Sequence, residues 1–225
     1  MQNKSIKINK IRIEQSPRDD ITPELKNYWG DKFNIVEKGA LDNYSFQEIQ
    51  KNFSPNNNED ILVTRLNEGE EVIISHKYIQ KLLQRKINEL SDDIDLIVLL
   101  CTGVFDDFDT NKLIIRPHLI LDSLIKNIIG SKKLGIIIPN IDQKQQIKAK
   151  WEKFNTKVFI QAASPYKLNN DLNSAAKILK NKDVDLIYMD CLGYSNSMKR
   201  AVSDISETKV MIPRLMLAAI IKELF

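Results

Sequence analysis

Asp95–Gly103 reads "DLIVLLCTG", and Asp185–Gly193 reads "DLIYMDCLG". Aligned, each gives Asp-Leu-Ile, three further residues, Cys, one residue and Gly. The second copy begins 90 residues after the first, at 185 against 95. The run Leu96–Cys101 is continuously apolar, as expected of a strand buried on both faces of a parallel sheet. The chain has two cysteines, and these stretches hold both, as Cys101 and Cys191. Each cysteine falls where a strand gives way to a loop with glycine.

Outward from these runs, short β-rich segments alternate with amphipathic ones. "KINKIRI" ends a first strand at Ile13, and Thr22 with Pro23 opens a helix, Thr22 as its N-cap. "FNIVEKGAL" is a strand, and Ser45 caps the helix that follows. "ILVTRL" and "EEVIIS" read as a hairpin with Gly69 in its turn. Ile79, Leu82, Leu83, Ile87 and Leu90 keep helical spacing. Residues from Thr102 to Arg116 read as a loop. Pro117 opens a helix with Leu121, Leu124, Ile125, Ile128 and Ile129 inward. "KLGIIIP", "KVFIQAA" and "KVMIP" are further strands, separated and followed by helices.

Strands separated by helices give βαβ units and a mostly parallel sheet. The expected fold class is therefore α/β, and the repeat divides it into two pseudo-symmetric lobes. Residues 1–105 with 210–225 would form the first lobe and 106–209 the second, with a ligand cleft between them.

Composition narrows the function. The 225 residues are 43% hydrophobic and 28% charged, ordinary for a globular chain. Lys and Arg number 33 against 30 Asp and Glu, a net charge of +3 with the signs interleaved. No nucleic-acid partner is expected from that pattern. No run approaches the roughly 18 apolar residues of a membrane span, so no membrane partner is expected. The first residues lack the pattern of an export signal, and two cysteines fit a reducing cytoplasm with free thiols. The two histidines and two cysteines lack metal-ligand spacing. The seven glycines form no phosphate-binding motif. No metal and no cofactor is expected, and a homodimer is compatible with the sequence.

In sheets of this kind ligands meet the carboxyl ends of the strands. Cys101 and Cys191 both stand there, and so carry the catalytic expectation. A thiolate on one wall of a cleft removes a proton from a carbon beside a carboxylate. A thiol on the other wall returns one to the opposite face, inverting the centre. Buried cysteine also serves as a small apolar side chain, which is the plainer role for each thiol taken alone. Gln15, Ser16, Thr102, Gly103, Leu192 and Gly193 would line the site. Arg18 is placed to hold a carboxylate with its fork, as is Arg214, which opens the last helix. Asp190 lies beside Cys191, but strand alternation turns it to the other face. His76 reads as a helix-start residue and His118 as part of a first turn. The expected partner is a small-molecule carboxylate.

A resemblance follows from "EQSPRDDITPEL", "LLCTGVF", "GIIIPN", "DLIYMDCLGY" and "VMIPRLMLAAII". Over almost its whole length the chain resembles the AroM family, and more broadly the aspartate/glutamate racemase superfamily. The resemblance implies a two-lobed α/β fold with a cleft between pseudo-symmetric halves. It implies no established reaction. In the N-terminal loop AroM-like proteins read Gly-Gln-x-Pro-Arg; Gln15, Pro17 and Arg18 match, while Glu14 stands at the glycine position. That departure favours a second reading, a small-molecule binder that kept the cleft without the chemistry.

Overall fold

The structure, a computed structural model, describes residues 6–30, 33–154, 156–167 and 171–225. The chain divides into two compact units. Met1–Pro117 with Ala218–Phe225 forms one and His118–Leu217 the other.

In the first unit β1 (Ile6–Arg12), β2 (Phe33–Gly39), β5 (Leu96–Leu99) and β6 (Ile114–Ile115) form a four-stranded sheet in the order β2-β1-β5-β6. All its pairings are parallel. In the second unit β7 (Lys133–Ile138), β8 (Lys157–Ala162), β9 (Leu186–Met189) and β10 (Lys209–Met211) form a parallel sheet in the order β10-β9-β7-β8. Counted along each unit's sheet, both orders are second, first, third, fourth. Each cysteine follows the third strand. The repeat in the sequence is thus a repeat of topology.

The Asp of each repeat has a defined task. Asp95 Oδ2 accepts the Lys7 amide at 2.8 Å, and Asp185 Oδ2 accepts the Lys133 amide at 2.9 Å. Each carboxylate fastens its strand to the start of the neighbouring central strand and so sets the register. Lys7 Nζ pairs with Asp93, and Lys133 Nζ pairs with Asp183 in the same way. The ladders continue to matching ends, where Leu100 N–H donates to Ile11 O and Asp190 N–H to Ile137 O, each at 2.8 Å.

Helices cover the sheets. In the first unit α1 (Thr22–Trp29), α2 (Phe46–Phe53) and α3 (His76–Asn88) are joined by the hairpin of β3 (Ile61–Arg65) and β4 (Glu71–Ser75). One core runs through Ile11, Ile13, Ile49, Leu62, Ile74, Ile79, Leu83, Ile97 and Leu99 and reaches Cys101 and Phe105. The second unit has a core on each sheet face. Ile137, Ile187 and Met189 pack with α6 (Leu172–Asn181) and α7 (Asn196–Ser206). Leu134, Ile136, Ile138, Leu186 and Tyr188 pack with α4 (Pro117–Ile129) and α5 (Lys144–Glu152). The last helix, α8 (Pro213–Leu224), returns to the first unit, where Ala218 O accepts the Trp29 indole N–H at 2.9 Å.

Three local expectations change. The α1 cap position is Ile21, with no side-chain cap. The Thr22 hydroxyl is instead spent on Lys10, Arg12 and Glu37. Ile114 and Ile115, expected in a loop, form a short strand because they pair with Ile97 and Val98. In α4, Leu121, Ile125 and Ile129 are buried, while Leu124 and Ile128 are exposed, so the apolar stripe is narrower than its sequence.

Candidate functional site

The Cys191 turn is built by the β9 register. The Gly193 amide donates to Cys191 Sγ at 3.4 Å. The Tyr166 hydroxyl lies 3.4 Å from the same sulfur. Gly193 is required at this turn: a Cβ there would meet the Tyr166 ring and hydroxyl at 2.6–2.7 Å. Arg214 is buried and turned onto the loop backbone. Its Nε and Nη2 donate to Leu192 O at 3.0 and 2.9 Å, and Nη2 to Gly193 O at 3.1 Å. The guanidinium expected to hold a carboxylate thus holds the cysteine loop.

The Cys101 turn has the same local form. Gly103 N–H donates to Cys101 Sγ at 3.3 Å. A Cβ at Gly103 would meet Leu62 Cδ2 at 2.7 Å and Phe105 Cε2 at 3.2 Å. His76 opens α3 and stacks on Phe105, with ring centroids 4.8 Å apart. Thr102 lies between the cysteine and the glycine, half-buried. Cys101 is buried and Cys191 half-buried.

The N-terminal loop is braced by its own chain. The Gln15 amide N–H donates to Tyr44 O at 2.9 Å, and its Oε1 accepts the Asn67 amide at 3.1 Å. The Ser16 hydroxyl and amide both reach Asp42. Arg18 presents its fork to Asp20, with Nε and Nη2 each 2.5 Å from a carboxylate oxygen, and its Nη1 to Glu14 at 2.8 Å. Beside the loop a cavity of about 340 Å³ is lined by Arg18, Asp20, Arg65 and Asn67.

Glu14 belongs to a buried charge network. β1 puts Ile11 on the core face and Lys10 and Arg12 on the other, by strand alternation, and Glu14, two residues past the strand, is buried against Arg12. Glu37, in register with Lys10 on β2, pairs with Lys10 at 3.1 Å and with Arg12 at 2.7 Å. Burial raises the Glu37 carboxyl, but the Arg12 and Lys10 charges outweigh it and hold Glu37 below the usual range. Burial and the Arg12 charge push Lys10 down to about 8.

A second buried set lies behind Cys191. Asp190 faces away from the thiol, toward α4 and α5, as alternation requires. Lys150 Nζ bridges Asp190 at 3.0 Å and Asp122 at 2.9 Å. Burial pushes Asp122 up to about 7; Lys150 opposes the rise and Asp190 adds to it. His118 is buried in the first turn of the same helix, α4. Among the described residues, no three His, Cys, Asp or Glu side chains gather as metal ligands would. Among the described residues, no helix is long and apolar enough to cross a membrane.

Two features escaped sequence reading. Tyr166 sits in a loop after β8 and reaches Cys191 through non-local packing. Lys150 lies on α5 beside Trp151, and its own helix gives no sign of its buried partners. The one signal for it was a carboxylate, Asp190, at a buried strand end.

Residues 8–225 match the family model described as "AroM protein". The chain belongs to the AroM family. No significant match to a curated protein was found. Solved structures similar to this AroM-family chain include the maleate isomerase Iso from Pseudomonas putida S16, with TM-score 0.56 and 13% identity over 97% of this chain and 92% of that one. The Picrophilus torridus aspartate racemase gives TM-score 0.52 and 14% identity, over 97% of this chain and 93% of that one. The glutamate racemase from Aquifex pyrophilus gives TM-score 0.53 and 13% identity, over 98% and 84%. At these identities the likeness is one of fold. The AroM-family chain has the aspartate/glutamate racemase-like fold, α/β with mostly parallel sheets and an internal repeat.

Proposed function

We propose that this AroM-family chain catalyses proton exchange at a carbon beside a carboxylate, using Cys191 and Cys101 as its acid–base pair. The observation that carries the reading is the repeated cysteine turn. Each of the two thiols follows the third strand of its sheet, and each sulfur receives the amide of the glycine two residues on. An amide donor binds a thiolate more strongly than a thiol.

In the scheme one thiolate removes the proton from the substrate carbon, and the electron pair passes into the carboxylate as an enediolate. The other thiol returns a proton to the opposite face and becomes the thiolate. The reverse reaction starts from that second state. A positioned group of this kind contributes about 10²–10⁴-fold to rate. The scheme requires both sulfurs to reach one substrate carbon. The ligand is a small carboxylate, with Thr102 and the glycine turns beside it.

A second reading, a carboxylate-binding protein without turnover, is favoured by one observation. The Arg18 fork is already filled by Asp20. Incubation with amino acids, hydroxy acids and dicarboxylic acids in heavy water separates the two readings. Deuterium entering at the α-carbon supports the enzyme. Binding without exchange supports the second reading and removes the first.

A further inference from the structure

Tyr166 has no part in the two-thiol scheme, yet its hydroxyl touches one of the reacting sulfurs. The contact is built in. β8 ends at Ala162, and the Tyr166 amide donates to Ser164 Oγ at 3.1 Å, turning the chain back over the strand ends. The ring then lies against Gly193, in space that any side chain at 193 would fill. At the far end of the ring the hydroxyl is 3.4 Å from Cys191 Sγ. The same sulfur takes the Gly193 amide at 3.4 Å. A thiolate has no proton to give, so with Cys191 ionised the hydroxyl must be the donor. Two donors on one sulfur favour its charged form.

We infer that Tyr166 is a catalytic residue whose hydroxyl donates to the Cys191 thiolate and holds it as the group that takes the substrate proton. The assignment rests on the proton-exchange reading and deepens it. No proton leaves Tyr166. When Cys191 takes the substrate hydrogen, the sulfur becomes a thiol and the hydroxyl keeps a weaker contact with it. Gly193 then has two duties, an amide for the sulfur and an empty side-chain position for the ring.

The test uses the full chain with Cys101→Ser, which leaves Cys191 as its one cysteine. The alkylation rate of Cys191 by iodoacetamide is followed against pH, with Tyr166 present and in Tyr166→Phe. Phenylalanine keeps the ring and removes the donor. The midpoint should rise by about one pH unit in Tyr166→Phe, the loss of one hydrogen bond to a charged group. Gly193→Ala, which displaces the ring with its hydroxyl intact, should move the midpoint in the same direction. A midpoint that stays put or falls in Tyr166→Phe overturns the assignment, even where exchange is observed. Absence of deuterium exchange in the unaltered chain overturns the underlying reading instead, whatever the alkylation midpoint does.

Discussion

Gly193 donates its backbone N–H to Cys191 Sγ over 3.4 Å, and Gly103 does the same for Cys101 over 3.3 Å. The amide and the thiol belong to one short turn, and the turn exists because a strand has just ended in fixed register with its neighbour. The register is held by Asp185 in one unit and Asp95 in the other. Sheet topology, turn and candidate chemistry are therefore one construction made twice.

The two glycines should not respond alike to alanine. At Gly193 the new methyl meets three atoms of the Tyr166 ring and hydroxyl at 2.6–2.7 Å and must displace the whole ring, so Gly193→Ala should cost about 1–3 kcal/mol by overpacking. At Gly103 its nearest contact is the end of the Leu62 side chain at 2.7 Å, which can rotate away, and the Phe105 ring edge stands farther off at 3.2 Å. The chain-entropy gain of about 0.4–1 kcal/mol from Gly→Ala then offsets much of the cost. Urea unfolding of both variants checks the order. Equal losses would contradict it.

Arg214 is a positioning residue for the Cys191 loop. Its planar fork spans two carbonyls, a geometry that lysine cannot reproduce. Arg214→Lys should lower exchange on the order of tenfold to a hundredfold with the fold intact, because small misplacements of a reacting group cost that much. Rates in heavy water beside a circular dichroism spectrum test this. An unchanged rate would contradict the role.

Glu14 occupies the family's glycine position, yet it is the buried partner of Arg18 and Arg12. Glu14→Gly restores the family residue and should still destabilise the chain, by about 3 kcal/mol, because it strips a buried carboxylate from two guanidinium groups. A urea midpoint at or above that of the unaltered chain would show that the network does not depend on it.

Asp122 gives a pH signature. Its carboxyl is raised from 3.8 to about 7, so between those values the folded chain keeps a proton that the unfolded chain has lost. Stability contributed by this group is full below the unfolded value and falls as pH rises through the window. Asp122→Asn should therefore gain on the unaltered chain from about pH 4 to about pH 7 and level off above. Urea unfolding across that range measures the difference. A difference that is flat with pH would contradict it.

Much of this was legible in the chain. The apolar run before Cys101, the copied Asp-Leu-Ile and the strand–helix alternation gave the α/β class and the repeat. Ser45 was readable as a cap and does form a capping box with Glu48. Gly69 was readable as the hairpin turn. The parity of Asp190 followed from the strand. What stayed hidden depended on partners distant in sequence. Lys10 and Arg12 are wholly buried because Glu37 arrives beside them on β2, and nothing local to β1 announces that. Arg18 and Arg214 were recognisable as strand-end arginines, and Asp20 was a readable partner for Arg18, but nothing local showed that both are buried, Arg18 also on Glu14 and Arg214 on the Leu192 and Gly193 carbonyls. Tyr166 meets its sulfur 25 residues away, across a glycine whose missing side chain is the only local trace.

The central claim is that both thiols serve one proton exchange. The most direct measurement is α-deuterium incorporation in heavy water by the unaltered chain, Cys101→Ser and Cys191→Ser, on a carboxylic acid that the unaltered chain turns over. The account predicts incorporation with inversion for the unaltered chain and loss of inversion in both variants, each still folded. Inversion that persists when either cysteine is replaced would contradict it.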